Sequence, residues 1–118
     1  MVEELAGVRV FVSDTAVTNE SDAVQLIVDA HYAHQVEWIA FAPEQLGDEF
    51  FELSSGRAGA ITQKFVTYQM GLAVVGDISE RVAASKPLAD WVRESNRGRN
   101  LLFAADLGEL AEQLQDRQ

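Results

Sequence analysis

The fold of this chain is decided by residues 54–77, which read SSGRAGAITQKFVTYQMGLAVVGD. The first part carries apolar residues at the spacing of one helix face: Ala58, Ile61, Phe65 and Tyr68. This helix is expected to open at Ser54 or Ser55 and to stop at Gly71. Residues 72–75 are apolar without alternation, which is typical of a central parallel strand covered on both faces. The stretch therefore predicts a helix that leads into a buried strand of an α/β sheet.

Three further segments have the pattern of strands. Residues 8–12 (VRVFV) alternate between the valines and other side chains, as a half-buried strand does. Residues 37–42 (EWIAFA) and 101–105 are also predicted strands, and residues 15–18 are expected to add a short one. The polar stretch 43–47 is expected to be irregular because it begins with proline and ends with glycine.

Three more helices are predicted from their start signals and apolar stripes. The start signals are Asn19 or Ser21, Ser85 with Pro87 in the first turn, and Asp106 with Glu109 three residues later. The residues expected to face the core are Val24, Ile27, Val28, His31, Leu88, Trp91, Val92, Leu107, Leu110 and Leu114. Gly98 is expected to end the second of these helices.

Strands and helices therefore alternate along the whole chain. Such alternation predicts an α/β fold with a mainly parallel sheet of four to five strands and about four helices. The 118 residues suit one domain, and neither a repeat nor a linker divides them. We therefore expect a single domain over residues 1–118.

Composition excludes several classes of protein. The 47% hydrophobic residues are typical of a globular chain, and the absence of cysteine excludes disulfides, thiolate metal sites and cysteine nucleophiles. A net charge of −10 argues against nucleic acid as a partner. The acidic start lacks the features of a secretory signal and no run of about 20 apolar residues occurs, so we expect a cytoplasmic protein without a membrane partner.

The charge is unevenly placed. Up to Glu52 there is one basic residue, Arg9, whereas seven of the nine basic residues lie between Arg57 and Arg99. This distribution fits a solvated surface with chance clustering, and it also fits a polarised surface that orients a partner or holds an anion.

No group of residues forms a catalytic or metal-binding motif. His31 and His34 lie three apart at the end of a predicted helix, without the spacing of a known metal motif. Histidines also suit a helix C-terminus for structural reasons. No serine lies in a GxSxG elbow. We therefore expect no enzyme activity, no metal and no cofactor.

The best candidate site is the helix start at Ser54, Ser55, Gly56 and Arg57. A helix start offers unpaired N–H donors, and here hydroxyls and a cation accompany them. The site is expected to hold an anion or to present a serine for phosphorylation. The alternative is structural: the serines cap the helix and the glycines allow close packing.

Further candidates for a ligand or partner surface are Lys64, Asp77, Asn96, Arg97 and Arg99. Asp77 follows a predicted strand, at the carboxyl end where ligands of open α/β sheets bind, although it can also begin a turn. The arginines lie around a helix end, where binding to terminal carbonyls is a sufficient structural explanation.

Two stretches carry a resemblance to a known family: residues 50–77, FFELSSGRAGAITQKFVTYQMGLAVVGD, and residues 85–99, SKPLADWVRESNRGR. They closely resemble the bacterial domain-of-unknown-function family 4180 (DUF4180). More distantly, the order of elements around the Ser-Ser-Gly is similar to STAS domains, the anti-sigma-factor antagonist type. STAS domains carry an Asp-Ser-Ser/Thr-Gly motif in which a partner kinase phosphorylates a serine, and here Leu53 stands at the position of the Asp.

These observations lead to two hypotheses. The first is a non-catalytic, STAS-like regulatory module that binds a kinase or another regulator and is controlled by phosphorylation at Ser54 or Ser55. The alternative is a domain that binds a small molecule or nucleotide anion at the carboxyl ends of its strands, through Asp77, the Ser54 helix start and Arg97 or Arg99. Both hypotheses leave a homo-oligomer open.

Overall fold

A five-stranded mixed sheet forms the centre of the molecule, and its strands lie side by side in chain order. The computed structural model describes residues 1–116. The strands are β1 (Val2–Leu5), β2 (Val8–Val12), β3 (Trp38–Phe41), β4 (Gly71–Val75) and β5 (Leu101–Ala104). The pairings from β2 to β5 are parallel. The α/β class and the mainly parallel sheet are therefore confirmed.

The first strand was missed by the sequence analysis, and it is antiparallel to β2. Ala6 and Gly7 connect the two strands with φ of 52° and 81°. Two consecutive residues with positive φ form the tight turn whose twist matches that of a hairpin. The sheet is therefore mixed, because a two-residue connection cannot join parallel strands.

Seven helices surround the sheet. They are α1 (Glu20–His34), α2 (Pro43–Leu46), α3 (Asp48–Phe51), α4 (Arg57–Thr67), α5 (Ser79–Ala84), α6 (Lys86–Arg97) and α7 (Leu107–Asp116). The four predicted helices correspond to α1, α4, α6 and α7. The three short helices α2, α3 and α5 were not predicted. Residues 43–47, expected to be irregular, are mostly helical, and residues 15–18 form no strand.

The start and the end of α4 differ from the prediction. Ser54 and Ser55 lie in a 3-10 turn (Leu53–Ser55), and Gly56 then adopts φ of 77° before the helix begins. The helix ends at Thr67, well before Gly71, and a left-handed Gln69 with φ of 57° lies between them. Tyr68 therefore lies beyond the helix and is 48% exposed, so its placement on the helix face of Ala58, Ile61 and Phe65 was wrong.

Two hydrophobic clusters lie on opposite faces of the sheet. The helices α1 to α6 all contribute to the cluster on one face, with Ile39, Phe41, Leu72 and Val74 from the central strands. Only α7 covers the other face within the described residues, over Val10, Trp38, Ala40 and Leu102. The central strands are thus buried on both faces, as their apolar sequence predicted.

Several predicted core positions are partly or fully exposed. His31 is exposed, while Val24, Val28, Trp91 and Val92 are half-buried. No helix of the described chain combines the length and the apolar character that crossing a bilayer requires.

Candidate functional site

The twin serines differ in what their hydroxyls do. Both residues are exposed. The Ser55 hydroxyl donates a hydrogen bond to the carbonyl of Glu49 at 2.7 Å and accepts one from the amide of Arg57 at 3.1 Å. The Ser54 hydroxyl has no hydrogen-bond partner within residues 1–116. Ser55 therefore fastens the turn, whereas Ser54 presents a free hydroxyl to solvent.

Arg57 is already occupied by protein groups. One guanidinium nitrogen lies 2.7 Å from a carboxylate oxygen of Glu49, and the other donates to the carbonyl of Thr18. The side chain thereby connects the start of α4 with α3 and with the loop before α1. The Arg57 guanidinium can therefore bind a ligand only if a stronger anion displaces Glu49.

A cleft of about 370 Å³ lies between the starts of α1 and α4, and Asn19, Glu20, Ser55 and Arg57 line it. Lys64 reaches the same region and lies 3.8 Å from a carboxylate oxygen of Glu20. The structure therefore brings Lys64 close to the candidate helix start. The carboxylates of Glu20 and Glu49 balance both cations, so the site carries no net positive charge.

A second candidate lies at the carboxyl ends of β4 and β5. The chain after β4 enters α5 on one face of the sheet, whereas the chain after β5 enters α7 on the other face. Such a divergence opens a crevice at the carboxyl edge of a parallel sheet. Here the crevice has a volume of about 280 Å³, and Asp77 and Asn96 both line it.

We call this crevice, lined by Asp77 and Asn96, the switch crevice. Most of its polar side chains already form hydrogen bonds within the protein. Asp77 accepts a hydrogen bond from the amide of Ser79 at 2.9 Å, and Asn96 accepts one from the amide of Phe103 at 2.7 Å. Hydrogen bonds from the side chain and then from the backbone of Ser79 lower the pKa of Asp77. Glu109, the other carboxylate of the crevice, accepts from the amide of Ala105 at 3.2 Å.

The crevice does not provide the anion site that the alternative hypothesis described. Its lining includes two carboxylates and neither arginine. Arg97 and Arg99 instead lie at the opposite edge of the sheet, where a cleft of about 550 Å³ borders on Trp38 at the amino end of β3. The predicted ligand residues are therefore divided among three places.

Sequence reasoning missed the residues that complete these places. Glu49 and Thr18 hold Arg57 from 8 and 39 positions away along the chain. No local pattern links residues at such separations, because the folded chain brings them together. Glu109 was recognised only as a helix cap, and the amide of Glu109 does donate to Asp106 at 2.8 Å.

His34 has structural surroundings. The ring of His34 stacks on Phe11 with centroids 5.1 Å apart, and the carbonyl of His34 accepts from the Arg9 guanidinium at 2.8 Å. Within residues 1–116, no three histidine, cysteine or acidic side chains come close enough to hold a metal ion.

Comparison with known proteins gives one family. The model of a family described as a domain of unknown function (DUF4180) matches residues 4–114, which is most of the chain. Neither the curated proteins nor the solved structures include a match to this sequence.

Proposed function

The chain belongs to the DUF4180 family, and on that premise we propose that it is a non-catalytic regulatory module that binds another protein and is switched by phosphorylation of Ser54. The observation that carries the proposal is the free, exposed hydroxyl of Ser54 beside a Ser55 whose hydroxyl is engaged. A kinase needs an accessible hydroxyl. The proposal thus narrows the two candidate serines to one.

The switch acts through Arg57. A phosphate carries about −1.5 to −2 charges at neutral pH and three strong acceptor oxygens. It outcompetes a single carboxylate for a guanidinium, because the charge is higher and the contact can be bidentate. Phosphorylated Ser54 would draw Arg57 away from Glu49, and the contact between the start of α4 and α3 would loosen.

The surface that changes is the cleft between α1 and α4. Glu20 and Arg57 line it and Glu49 pairs with Arg57, so the unmodified surface presents balanced charges to a partner. Movement of Glu49 and the added phosphate alter the charge that such a partner meets. The similarity of Leu53–Gly56 to the phosphorylated motif of STAS domains supports a kinase or a regulator as the partner, in the cytoplasm.

The test is mass spectrometry of the protein purified from its native cells in several growth phases. We expect a phosphate on Ser54 and none on Ser55. Ser54→Glu should change the set of chemically cross-linked partners, whereas Ser79→Glu, which adds the same charge at the start of α5, should not. Absence of phosphate in every phase, or equal effects of the two substitutions, would overturn the proposal.

A second candidate function is small-molecule binding in the switch crevice, favoured by the divergence of the chain after β4 and β5. The carboxylates of Asp77 and Glu109 make a neutral or cationic ligand more suitable than a nucleotide anion. A thermal-shift screen with amines and nucleotides tests this candidate. Stabilisation that Ser79→Glu abolishes and Ser54→Glu leaves unchanged would favour the crevice over the serine switch.

A further inference from the structure

Two arginines differ from the other basic residues of the described chain. Every other arginine or lysine within residues 1–116 has an acidic or carbonyl partner: Arg9, Arg57, Lys64, Arg81, Lys86 and Arg93. Arg97 and Arg99 are exposed and have none. The chain has 19 acidic residues against 9 basic ones, so carboxylates are not scarce. The lack of acidic partners for Arg97 and Arg99 therefore distinguishes this part of the surface from the rest.

Both arginines line the same cleft. Its volume of about 550 Å³ falls within the roughly 300–1,000 Å³ that is usual for small-molecule sites. Val8 and Trp38, at the amino ends of β2 and β3, and Leu114 of α7 form its apolar wall, and Asn96 and Gly98 complete the lining. This cleft thus combines two neighbouring arginines that have no acidic partner with an apolar wall. It lies at the edge of the sheet opposite to the carboxyl ends of the strands.

We propose that this cleft binds a small organic anion with an apolar body, in which a carboxylate or phosphate group pairs with Arg97 and Arg99 and the body contacts Trp38 and Leu114. Guanidinium groups match planar carboxylates and phosphates with two parallel hydrogen bonds. An apolar body gains further free energy by covering the half-buried Val8 and the small exposed part of Trp38, which is 8% exposed. The site is independent of Ser54, because it uses other residues at another edge.

The experiment is NMR titration of the full chain, read at the indole N–H signals of its two tryptophans. Trp38 lines the cleft, whereas Trp91 packs against Phe50 and Phe103 on the other face of the sheet. Trp91→Phe assigns the signals. The probes are phenyl phosphate and 3-phenylpropanoate, with benzyl alcohol and inorganic phosphate as controls for the missing charge and the missing apolar body.

We expect both aromatic anions to shift the Trp38 signal and to bind at least about tenfold more tightly than either control. The stronger of the two identifies the head group as phosphate or carboxylate. Arg97→Gln and Arg99→Gln should each weaken binding about tenfold. Arg93→Gln, a matched loss of charge on α6, should leave binding unchanged.

Three results would overturn the proposal: no shift of Trp38 at millimolar probe, equal binding of benzyl alcohol and the anions, or equal effects of the three arginine substitutions. If Arg97→Gln and Arg99→Gln lower the melting temperature while the anions do not bind, the arginines serve the carbonyl end of α6 instead. None of these outcomes bears on phosphorylation of Ser54.

Discussion

At the residue scale, Gly71 lies directly against the indole ring of Trp38. The two residues are partners in the parallel pairing of β3 and β4. A Cβ placed on Gly71 would lie 2.2 Å from the indole ring of Trp38, which is far closer than van der Waals contact. Gly71 therefore makes room for the tryptophan, and its predicted role as a helix stop is wrong.

Gly71→Ala should lower the free energy of unfolding by about 1–3 kcal/mol, because the added methyl group overpacks a rigid contact. Urea denaturation followed by circular dichroism measures the loss. In a Trp38→Ala background the same substitution should cost little, since the clashing ring is absent. An equal loss in both backgrounds would show that the ring is not the cause.

Asp77 gives a prediction for pH. Its pKa in the folded protein lies below the usual 3.8 because Ser79 donates hydrogen bonds to the carboxylate. A lowered pKa means that the contribution to stability is present above pH 3.8 and is lost as the pH falls through the folded pKa.

Asp77→Asn should therefore be less stable than the unmodified protein at neutral pH, and the difference should shrink below pH 3.8. Urea denaturation at neutral and at acid pH measures it, with Asp14→Asn as a control for the loss of an exposed charge. A difference that grows in acid would contradict the assigned hydrogen bonds.

At the element scale, the 3-10 turn (Leu53–Ser55) connects α3 with α4. Ser55 fastens it to α3, and Arg57 fastens the first turn of α4 to α3 and to the loop before α1. The turn places Ser54 on the outside. Its position is therefore determined by contacts that Ser54 does not make.

Ser55→Ala should lower the free energy of unfolding by about 1 kcal/mol, because the amide of Arg57 and the carbonyl of Glu49 both lose their partner. Ser54→Ala is the matched control, and it should change stability by less than about 0.5 kcal/mol. Chemical denaturation of both variants gives the comparison. Equal losses would mean that both hydroxyls are structural.

The edge strand β5 is protected by side chains. The outward amide of Phe103 donates to Asn96, and its carbonyl accepts from Gln113 at 3.0 Å. Unpaired edge groups invite pairing with another chain. Asn96, in the stretch 85–99 that resembles the family, therefore protects the edge of the sheet. Arg97 and Arg99, which follow it, have the separate role in anion binding that we propose.

At the scale of the whole molecule, the two faces of the sheet are covered unequally. Six helices pack on one face and one helix, α7, packs on the other within the described residues. Leu110 of α7 is fully buried against this second face. The burial of the second face thus depends on a few side chains of one helix.

Leu110→Ala should lower the free energy of unfolding by about 2–5 kcal/mol, because a buried leucine is replaced by a cavity that one helix cannot close. Leu107→Ala, at a half-buried position of the same helix, should cost less. Urea unfolding measures both. A smaller loss for Leu110 than for Leu107 would mean that α7 is not anchored as described.

The sequence by itself determined the α/β class, the four parallel strands, the longer helices and the family, because each depends on local periodicity or on residues that are adjacent in the chain. It missed β1, since a four-residue strand with two acidic residues is a weak local signal. It also missed the short helices after β3, where proline and glycine suggested a loop.

Only the tertiary structure decided which candidate residues work together. Asp77 and Asn96 line one crevice because the chain diverges after β4 and β5. Arg97 and Arg99 line a different cleft, which Asn96 also borders, because α6 runs back along the sheet to the amino ends of its strands. Arg57 is held by groups that are distant in the chain. Separations of this kind are set by packing between elements, and no local pattern of residues records them.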